Sequence, residues 1–420
     1  MSRKPRILLI PDVAWWIIGE MGKQIIARFG DKYEFYFVPE GTLLWRPDIL
    51  QALVPAVDAI HCLYESSIEL FSDFDRETLP PIATWIHHVT AWSPLHQMAI
   101  DRSAALTVLT HGWKDYIDER VAGRIPVTLV PHGVDSVFFQ RREVNPIRFG
   151  IPAGSFVLGF IANKGSNNDG GRKGLDTLLD VIHMAAGRIP SLHVVLGGPG
   201  WESELAGLKA LGISAHATGF IPKADLPALY SALDAYLVTS RVEGGPCTVF
   251  EAMACETAVV STRVGAVPEL IIDGVNGYSA EVDDSKALLS AIVVLSQSAE
   301  ARIAMGKTAR ETVLKRSWGA VLSPLEGVYD ELIRLRHTKG APLQGPAWMN
   351  NPQGLFRASC AADAWANVIP RVRNRSMSLS EGIRLLRITL SGQSLVDIAK
   401  GAAMLKGAGF KISPASKAYR

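Results

Sequence analysis

The hydrophobic pattern of the chain consists of short apolar runs, each followed by a polar or glycine-containing loop and a segment of helical periodicity. Such runs, bounded by turn residues, are typical of strands buried on both faces of a parallel sheet. Because helical segments separate them, the pattern predicts βαβ units. The predicted strands lie at residues 6–10, 33–38, 59–63, 82–86, 104–109, 127–130, 156–161, 193–197, 235–238 and 258–261.

One charged segment that contains proline and glycine, residues 135–155, separates two sets of these units, and we interpret it as a linker. The fold class we predict is therefore α/β, with two Rossmann-like domains facing each other across a cleft, at residues 1–150 and 151–335. Residues 336–420 are predicted to form a linker and a basic helical extension. The extension has apolar residues on one helical face: Leu379, Ile383, Leu386 and Leu390.

The composition is that of a globular protein with a sizeable core, since 48% of the 420 residues are apolar and 20% are charged. A net charge of +2 does not indicate a nucleic-acid partner. The charge is unevenly distributed, because residues 371–420 contain ten Lys or Arg and two Asp or Glu. This basic excess suits either peripheral docking on an anionic membrane or packing on the acidic main body, and both interpretations stay open.

The chain has four widely spaced cysteines without a C-x-x-C pair: Cys62, Cys247, Cys255 and Cys360. We therefore expect neither a zinc site nor a disulfide framework, and a cytoplasmic location fits best. The apolar segment near the N-terminus is interrupted by Pro11 and Asp12, which favours a strand and loop over a signal peptide. No apolar run is long enough to predict a transmembrane helix.

The most informative polar segment is residues 240–255, in which Glu243 and Glu251 flank a loop rich in glycine and proline. The loop follows a predicted strand and precedes a helical pattern, so we expect Glu243 on the loop and Glu251 in the first turn of the helix. Free amide groups and the positive end of a helix dipole should meet there, which suits a phosphate. A competing interpretation is that Thr248 and Glu251 form a T-x-x-E capping box, in which Glu251 caps its own helix.

A second candidate loop, residues 162–174, carries three cations ahead of a predicted helix at residues 175–186. Glycines and cations before a helix again suggest phosphate binding, although a solvated surface loop is the alternative. The spacing matches neither a Walker A loop nor a G-x-G-x-x-G dinucleotide motif.

In the first half, His87 and His88 follow a predicted strand, at the edge where parallel sheets bind ligands. We expect His87 to be a pocket residue, and the alternative is that one of the pair only hydrogen-bonds a loop backbone. Four tryptophans are candidates for an acceptor pocket, with core packing as the simpler alternative for each: Trp15, Trp16, Trp85 and Trp92.

With these residues in view, residues 5–335 resemble the family 4 retaining glycosyltransferases, which have the GT-B fold. The strongest part of the likeness is the Glu243-x7-Glu251 pattern. Four other motifs fall in the family's order, at residues 130–135, 172–174, 218–222 and 265–277. The resemblance implies a sugar transfer from a nucleotide-diphosphate sugar to a glycan, lipid-linked saccharide or small molecule, with retention of anomeric configuration.

The resemblance also implies roles for individual residues. Glu251 would hold the donor ribose, Glu243 the transferred sugar, and Lys173 with Arg172 the leaving diphosphate. His87 would approach the sugar from the first domain, and Ile221 and Pro222 would flank the base. Backbone amides of the loop from Gly244 to Val249 would receive sugar hydroxyls and phosphate, and the resemblance makes its residues donor-binding: Gly244, Gly245, Pro246, Cys247, Thr248 and Val249.

The chain departs from the family pattern at two places. Ala162 and Asn163 stand where Gly-Arg is common, so Lys164 or Arg172 is expected to supply the missing cation beside Asn163. Trp15 and Trp16 stand where the first loop usually has paired glycines. We expect neither a cofactor nor a metal, with the nucleotide sugar as co-substrate. A nucleotide-sugar 2-epimerase of the same architecture and a non-catalytic sugar-binding module are the alternatives.

Overall fold

The structure is a computed structural model and describes residues 3–162, 164, 171–340, 342–356 and 359. Within these residues the chain forms two six-stranded parallel sheets, each flanked by helices. The first sheet has the order β2-β1-β3-β4-β5-β6. Its strands are β1 (Arg6–Ile10), β2 (Glu34–Phe37), β3 (Ala59–Cys62), β4 (Ile82–Ile86), β5 (Ala105–Val108) and β6 (Val127–Leu129).

The second sheet has the order β12-β11-β10-β7-β8-β9, and its paired strands also run parallel. Counted from its own first strand, this is the 3-2-1-4-5-6 order of the Rossmann fold. Its strands are β7 (Phe156–Ile161), β8 (Leu192–Gly197), β9 (Ala215–Ala217), β10 (Ala235–Val238), β11 (Ala258–Thr262) and β12 (Tyr278–Ala280).

Helices follow most strands and cover both faces of each sheet, as the pattern of alternating elements predicts. Those that follow strands of the first sheet are α1 (Ile17–Phe29), α2 (Glu40–Trp45), α3 (Pro47–Leu53), α4 (Pro94–Arg102) and α5 (His111–Val121). Those within or after the second sheet are α6 (Leu175–Ala186), α7 (Glu202–Ala210), α8 (Leu226–Ser231), α9 (Cys247–Ala254), α10 (Val267–Leu270), α11 (Ser285–Gln297), α12 (Ala299–Leu314), α13 (Trp318–Val321) and α14 (Pro324–Thr338).

The burial of the strands explains their apolar sequences. Every residue of β3, β4 and β5 is buried, and β8 and β11 are buried throughout. A strand covered by helices on both faces has no solvent side, so it carries a continuous apolar run rather than an alternating one. The predicted strands are therefore found close to their expected bounds.

The end of the second domain's sequence packs on the first domain. Apolar residues of α13 and α14 belong to the same buried cluster as β1 and β4, and Met349 and Leu355 pack on the other face of that sheet. The hydroxyl of Tyr329 in α14 lies 2.9 Å from Nδ1 of His61 in β3. The sequence assigned residues up to 335 to the second domain, but the chain returns to the first domain from residue 318 onward, because the apolar face of α14 completes the first core.

No single helix in the described part of the chain is long and apolar enough to cross a membrane. The helices α11 and α12 pass that criterion only as a pair, and the pair is bent by 113°. The predicted basic extension at residues 371–420 lies outside the described residues, and so does Asn163.

Candidate functional site

The order of the second sheet places its candidate site at the carboxyl ends of β7 and β10. These neighbouring strands are where the strand order reverses, and ligands of such sheets bind in the crevice at that point. The loop after β7 carries Arg172 and Lys173, and the loop after β10 carries Glu243. The two loops singled out from the sequence therefore meet at the topological switch point of the sheet.

A close backbone approach joins the two loops. Gly174 has a φ of +61°, and a Cβ at this position would lie 2.0 Å from the carbonyl oxygen of Thr239. The Thr239 hydroxyl donates to the carbonyl of Lys173 at 2.9 Å, and the amide of Arg241 donates to the carbonyl of Arg172 at 2.7 Å. Only glycine allows both this φ and this contact, so Gly174 fixes the cations beside the loop after β10.

The carboxylate of Glu243 is held by both cations. Lys173 Nζ lies 2.5 Å from Oε1 of Glu243, and a guanidinium nitrogen of Arg172 lies 3.2 Å from Oε2. The Ser240 hydroxyl donates to Oε1 at 2.9 Å. Burial of Glu243 raises the pKa of this carboxyl, but Lys173 and Arg172 outweigh the burial and hold the pKa below its usual value. Glu243 is therefore ionised at neutral pH.

The glycine loop after Glu243 lies directly against the first domain. A Cβ on Gly244 would lie 2.2 Å from the carbonyl oxygen of His87, and one on Gly245 would lie 3.0 Å from Cβ of His132. From α5, the indole N–H of Trp113 donates to the carbonyl of Glu243 at 3.0 Å. The structure thus brings His87 and Glu243, predicted from opposite halves of the chain, to the same loop.

The helix after the glycine loop begins two residues earlier than the capping-box interpretation requires, at Cys247 rather than Val249. The helix α9 starts at Cys247, and Pro246 is its N-cap residue. Thr248 is therefore the second residue of the helix and not its N-cap. The predicted capping box of Thr248 and Glu251 is therefore wrong, because the rigid Pro246 fixes the start of the helix. The amide of Val249 donates to the carbonyl of Pro246 at 2.9 Å and is occupied in this conformation.

Glu251 lies in the second turn of α9, not in the first as expected, and it is half-buried. The hydroxyl of Tyr230 in α8 donates to its Oε2 at 2.8 Å. Burial raises the pKa of the Glu251 carboxyl to about 7, and the Tyr230 bond lowers it only in part. This carboxyl therefore changes its charge near neutral pH, unlike that of Glu243.

His87 is a buried, neutral imidazole. Its Nε2 lies 2.9 Å from the carbonyl oxygen of Leu63, which can only accept, so Nε2 carries the proton and Nδ1 has the free lone pair. Burial lowers the pKa of His87 to about 3. Its ring stacks on Trp85 at a centroid distance of 5.7 Å, and the ring of His61 stacks on the same indole at 5.7 Å. His87 can therefore accept a hydrogen bond from a ligand but cannot protonate one.

The remaining predicted residues take different positions. Ile221 and Pro222 are half-buried, and Ile221 Cδ1 would contact a Cβ built on Gly197 at the end of β8. Trp85 is fully buried, which confirms core packing for that tryptophan. Trp16 is 42% exposed, and a role for it with Trp15 in an acceptor pocket stays a prediction.

Sequence reasoning missed several residues that hold the site. Ser240 and Tyr230 bond the two glutamates, and Trp113 bonds the glycine loop from the first domain. Glu65 accepts from the amide of His87 at 3.4 Å. Of these contacts, the sequence could have indicated that of Ser240, which lies three residues before Glu243. The other contacts join residues more than twenty positions apart, so no local pattern indicates them.

The described residues contain no group of three or more His, Cys, Asp or Glu side chains arranged to hold a metal ion. The absence of a metal in the mechanism stays a prediction, since nothing in the arrangement tests it.

Residues 166–312 match the family model described as glycosyl transferases group 1. This range contains Arg172 and Lys173 of the loop after β7, the glycine loop after β10 and the whole of α9. Among similar proteins, a D-inositol 3-phosphate glycosyltransferase of Corynebacterium jeikeium is 30% identical over 253 residues, which are 56% of this chain and 59% of that protein. Over residues 166–312 the chain is similar to glycosyltransferases of this family. The resemblance inferred from the glutamate spacing is thereby confirmed.

Other glycosyltransferases align with shorter or similar parts of the chain. An N-acetyl-alpha-D-glucosaminyl L-malate synthase of Bacillus anthracis is 27% identical over 248 residues, which are 57% of this chain and 63% of that protein. A Methanocaldococcus jannaschii protein described as an uncharacterized glycosyltransferase is 38% identical, but the match covers only 27% of its length. The chain thus spans less than two thirds of the lengths of these three relatives.

Solved structures confirm the predicted GT-B fold of the chain. The Anabaena protein HepE, in complex with UDP and glucose, superposes with a TM-score of 0.64 at 17% identity, covering 78% of this chain and all of that one. A sucrose-phosphate synthase from Thermosynechococcus elongatus gives a TM-score of 0.66 at 18% identity, covering 79% of this chain and all of that one. At this identity the likeness establishes the fold alone.

Proposed function

We propose that the protein transfers a glycosyl group from a nucleotide-diphosphate sugar to an acceptor hydroxyl, with retention of anomeric configuration. One observation carries this proposal: Lys173, Arg172, Glu243 and the start of α9 converge on one crevice, against which the first domain presents His87. Fixed cations beside a helix N-terminus suit a diphosphate, and a carboxylate beside them suits sugar hydroxyls.

The site can assist the departure of a diphosphate. When the bond between sugar and diphosphate breaks, negative charge develops on the leaving group and positive charge on the anomeric carbon. Lys173 and Arg172 stabilise the leaving charge from fixed positions, an effect worth several kcal/mol where water is excluded. The described residues that close the crevice include Trp113 from the first domain, so closure of the two domains would keep water from competing with the acceptor.

In this proposal, His87 acts through its neutral form. Because Nε2–H is committed to the carbonyl of Leu63, Nδ1 is available to accept a hydrogen bond from a hydroxyl of the transferred sugar. A neutral acceptor near the anomeric centre also avoids placing a second positive charge beside the developing one. Its role is to orient the sugar rather than to act as a general acid.

We propose the donor and the acceptor as chemical classes rather than as single compounds. The HepE structures contain UDP, and one contains UDP-glucose, which supports a hexosyl donor on a uridine nucleotide as the first to try. The names of the relatives include inositol 3-phosphate and malate as groups acted on, so glycans, lipid-linked saccharides and small polar molecules are all suitable acceptors to test.

The test begins with a thermal-shift screen of the purified chain against UDP, GDP, ADP and dTDP and their sugars, since a ligand that binds the folded state raises the melting temperature. The best donor is then incubated with and without acceptors, and the products are followed by NMR. We expect an α-linked product from an α-linked donor. Absence of nucleotide binding by calorimetry contradicts the proposal, and a changed sugar configuration without acceptor identifies an epimerase instead.

A variant separates donor binding from general damage. Glu251→Ala removes the carboxylate proposed to hold the ribose and should abolish donor binding. The matched control is Glu256→Ala, which removes a carboxylate just after the same helix at a position with a positive φ of 60°. We expect this control to bind donor normally after correction for any loss of stability.

We further propose that the enzyme is cytoplasmic, works without a divalent metal and touches the inner face of a membrane through residues 371–420. The charge of that segment, a balance of +8, supports the last point. Co-sedimentation with anionic vesicles should fall when residues 371–420 are removed, and equal co-sedimentation contradicts this. Activity that survives EDTA treatment would support metal independence.

A further inference from the structure

Glu243, the residue proposed to bind the sugar, pairs with both site cations. Lys173 Nζ and the Arg172 guanidinium both lie within 3.2 Å of its carboxylate, and all three side chains are less than one-third exposed. The position that a diphosphate needs is therefore already neutralised in part by the protein. A ligand diphosphate has to take these cations from Glu243.

This competition depends on what the ligand offers to Glu243. A nucleotide sugar brings hydroxyl groups, which can donate to the carboxylate while the diphosphate takes the cations. A nucleoside diphosphate brings no sugar hydroxyls to Glu243, and its free terminal phosphate carries more negative charge than the esterified terminal phosphate of the donor, because it has a second ionisation near pH 6. Glu243 then has no new hydrogen-bond donor and stays opposed to the ligand.

We infer that Glu243 couples sugar recognition to diphosphate recognition, by competing for Lys173 and Arg172 whenever no sugar is present. The inference rests on the proposed function and extends it to product release. After transfer the sugar has left the site, and Glu243 pairs with the two cations again. The cations then bind the nucleoside diphosphate less tightly, which favours its release. The same carboxylate thus favours substrate over product at one site.

The charge state of Glu243 allows this exchange over the physiological pH range. Its neighbouring cations and the Ser240 hydroxyl keep it ionised in the buried crevice. Breaking one charged pair without replacing it is costly, since the remaining charge is left in a poorly solvated place. The sugar hydroxyls replace the lost contacts of Glu243, and the diphosphate replaces those of the cations.

The experiment measures the affinities of three ligands by calorimetry: the nucleoside diphosphate selected by the thermal-shift screen, its monophosphate and its sugar derivative. In Glu243→Gln, the side chain keeps its shape and a bond to Ser240 but loses its charge. We expect the diphosphate to bind about tenfold more tightly than to the unmodified enzyme, a coupling of ordinary size. The monophosphate and the nucleotide sugar should gain less, and turnover should fall with stronger product inhibition.

The matched control is Asp176→Asn, which removes an equal charge from the first turn of α6. Asp176 pairs with Arg241 rather than with Lys173 or Arg172. We expect its affinity for the diphosphate to change less than twofold. An equal gain in Asp176→Asn would contradict the inference, because the effect would then depend on net charge and not on the pairing.

A double-mutant cycle separates the competition from a change in folding. In a Lys173→Gln background, Glu243→Gln should lose most of its gain in diphosphate affinity, because the cation that it frees is absent. An undiminished gain in that background, or no gain in Glu243→Gln alone, overturns the inference. If the unmodified enzyme binds no nucleotide at all, the proposed function fails instead, so the two failures are distinguishable.

Discussion

At the scale of single residues, burial raises the pKa values of two carboxyl groups, those of Glu65 and Glu251, to near neutral pH. Glu65 is buried beside His87, and desolvation raises the pKa of its carboxyl to about 7. Glu251 in α9 has a pKa raised to about 7 for the same reason. Glu243 is buried as well, but its two cations reverse the direction of the shift. Charge partners rather than depth therefore decide which carboxyl is ionised at pH 7.

Replacing Glu65 by Gln should stabilise the protein at high pH. Its folded pKa lies above the unfolded value of 4.5, so the protonated form favours folding. The stability it provides is fully present below pH 4.5 and lost as the pH rises through 7. At pH 8 we expect the free energy of unfolding of Glu65→Gln to exceed that of the unmodified protein by up to about 3 kcal/mol, at 1.36 kcal/mol per pKa unit. The difference should vanish near pH 4.5, measured by urea unfolding.

The control for this prediction is Glu69→Gln, in the same short 3-10 helix at Glu65–Phe71. Glu69 is exposed, so its replacement should change stability little at either pH. A stabilisation by Glu65→Gln that is equal at pH 5 and pH 8 would show that the effect does not come from the titration of Glu65.

Donor binding should weaken as the pH falls from 8 to 6. Ribose hydroxyls donate to a carboxylate, so they bind the ionised form of Glu251. Below its pKa of about 7 this carboxyl is mostly protonated, and its deprotonation then opposes donor binding. A nucleotide sugar is the suitable probe, because its esterified phosphates do not titrate in this range. Calorimetry at pH 6, 7 and 8 should show this trend in the unmodified enzyme. Glu251→Gln should bind more weakly with little pH dependence, and a persistent trend there would assign it to another group.

How far the site could be predicted depends on the distance of its contacts along the chain. Glu243 and Glu251 stood out because one short segment contains both, with the glycines between them. The pairing of Glu243 with Lys173 joins residues 70 positions apart, and no local pattern encodes it. It follows from the sheet order, which places the loops after β7 and β10 side by side.

At the scale of elements, the glycine loop is the point where the two domains meet. Gly244 approaches the backbone of His87 so closely that a Cβ would lie 2.2 Å from the carbonyl oxygen. Because the obstacle is backbone and not a flexible side chain, one of the two segments has to move. The loop also supplies the turn that leads into α9, so its displacement carries Glu243 and the start of the helix with it.

Gly244→Ala should therefore abolish most of the donor affinity and turnover, with a much smaller effect on overall stability. Misplacement of a site by about 1 Å can lower the rate about a hundredfold. The matched control is Gly112→Ala in the first turn of α5, where a Cβ would meet no atom within 4 Å. Steady-state kinetics with the best donor give the measurement, and unchanged kinetics in Gly244→Ala would show that the contact with His87 opens without consequence.

The elements themselves were predicted well where burial fixes the pattern. The strands β7 and β10 and the helix α6 were found with the predicted bounds, because each is an apolar run or apolar face between clear turn residues. The start of α9 was misjudged, since a T-x-x-E motif indicates a cap only if the preceding backbone allows one. Pro246 already occupies the N-cap position, two residues before Thr248, so the motif does not set the helix start.

At the scale of the whole molecule, the chain crosses between the domains twice. It leaves the first domain near residue 135 and returns at Trp318, after which α14 packs on the first sheet. This return is invisible to local patterns, because an amphipathic helix does not indicate which core its apolar face joins. The first domain is consequently completed by residues that follow the second domain in the sequence.

A substitution at Tyr329 in α14 tests how much this return contributes to the stability of the first domain. Its ring packs edge-on against Phe29, Tyr33 and Phe35 at centroid distances of 6.1, 5.5 and 6.0 Å. Because the side chain is fully buried, Tyr329→Ala should leave a cavity and lower the free energy of unfolding by about 3 to 5 kcal/mol. The control Arg334→Ala, on the exposed face of the same helix, should cost less than about 0.5 kcal/mol.

The same variant tests whether α14 also supports the site. Tyr329 bonds His61, whose ring stacks on Trp85, and the ring of His87 stacks on the same indole. Tyr329→Phe keeps the packing but removes the hydroxyl, so it should cost about 1 kcal/mol of stability and leave donor affinity intact. If Tyr329→Ala lowers turnover while Tyr329→Phe does not, the packing of α14, and not the hydrogen bond, holds His87 in place. Equal turnover in both variants at a temperature where each is folded would confine the role of α14 to stability.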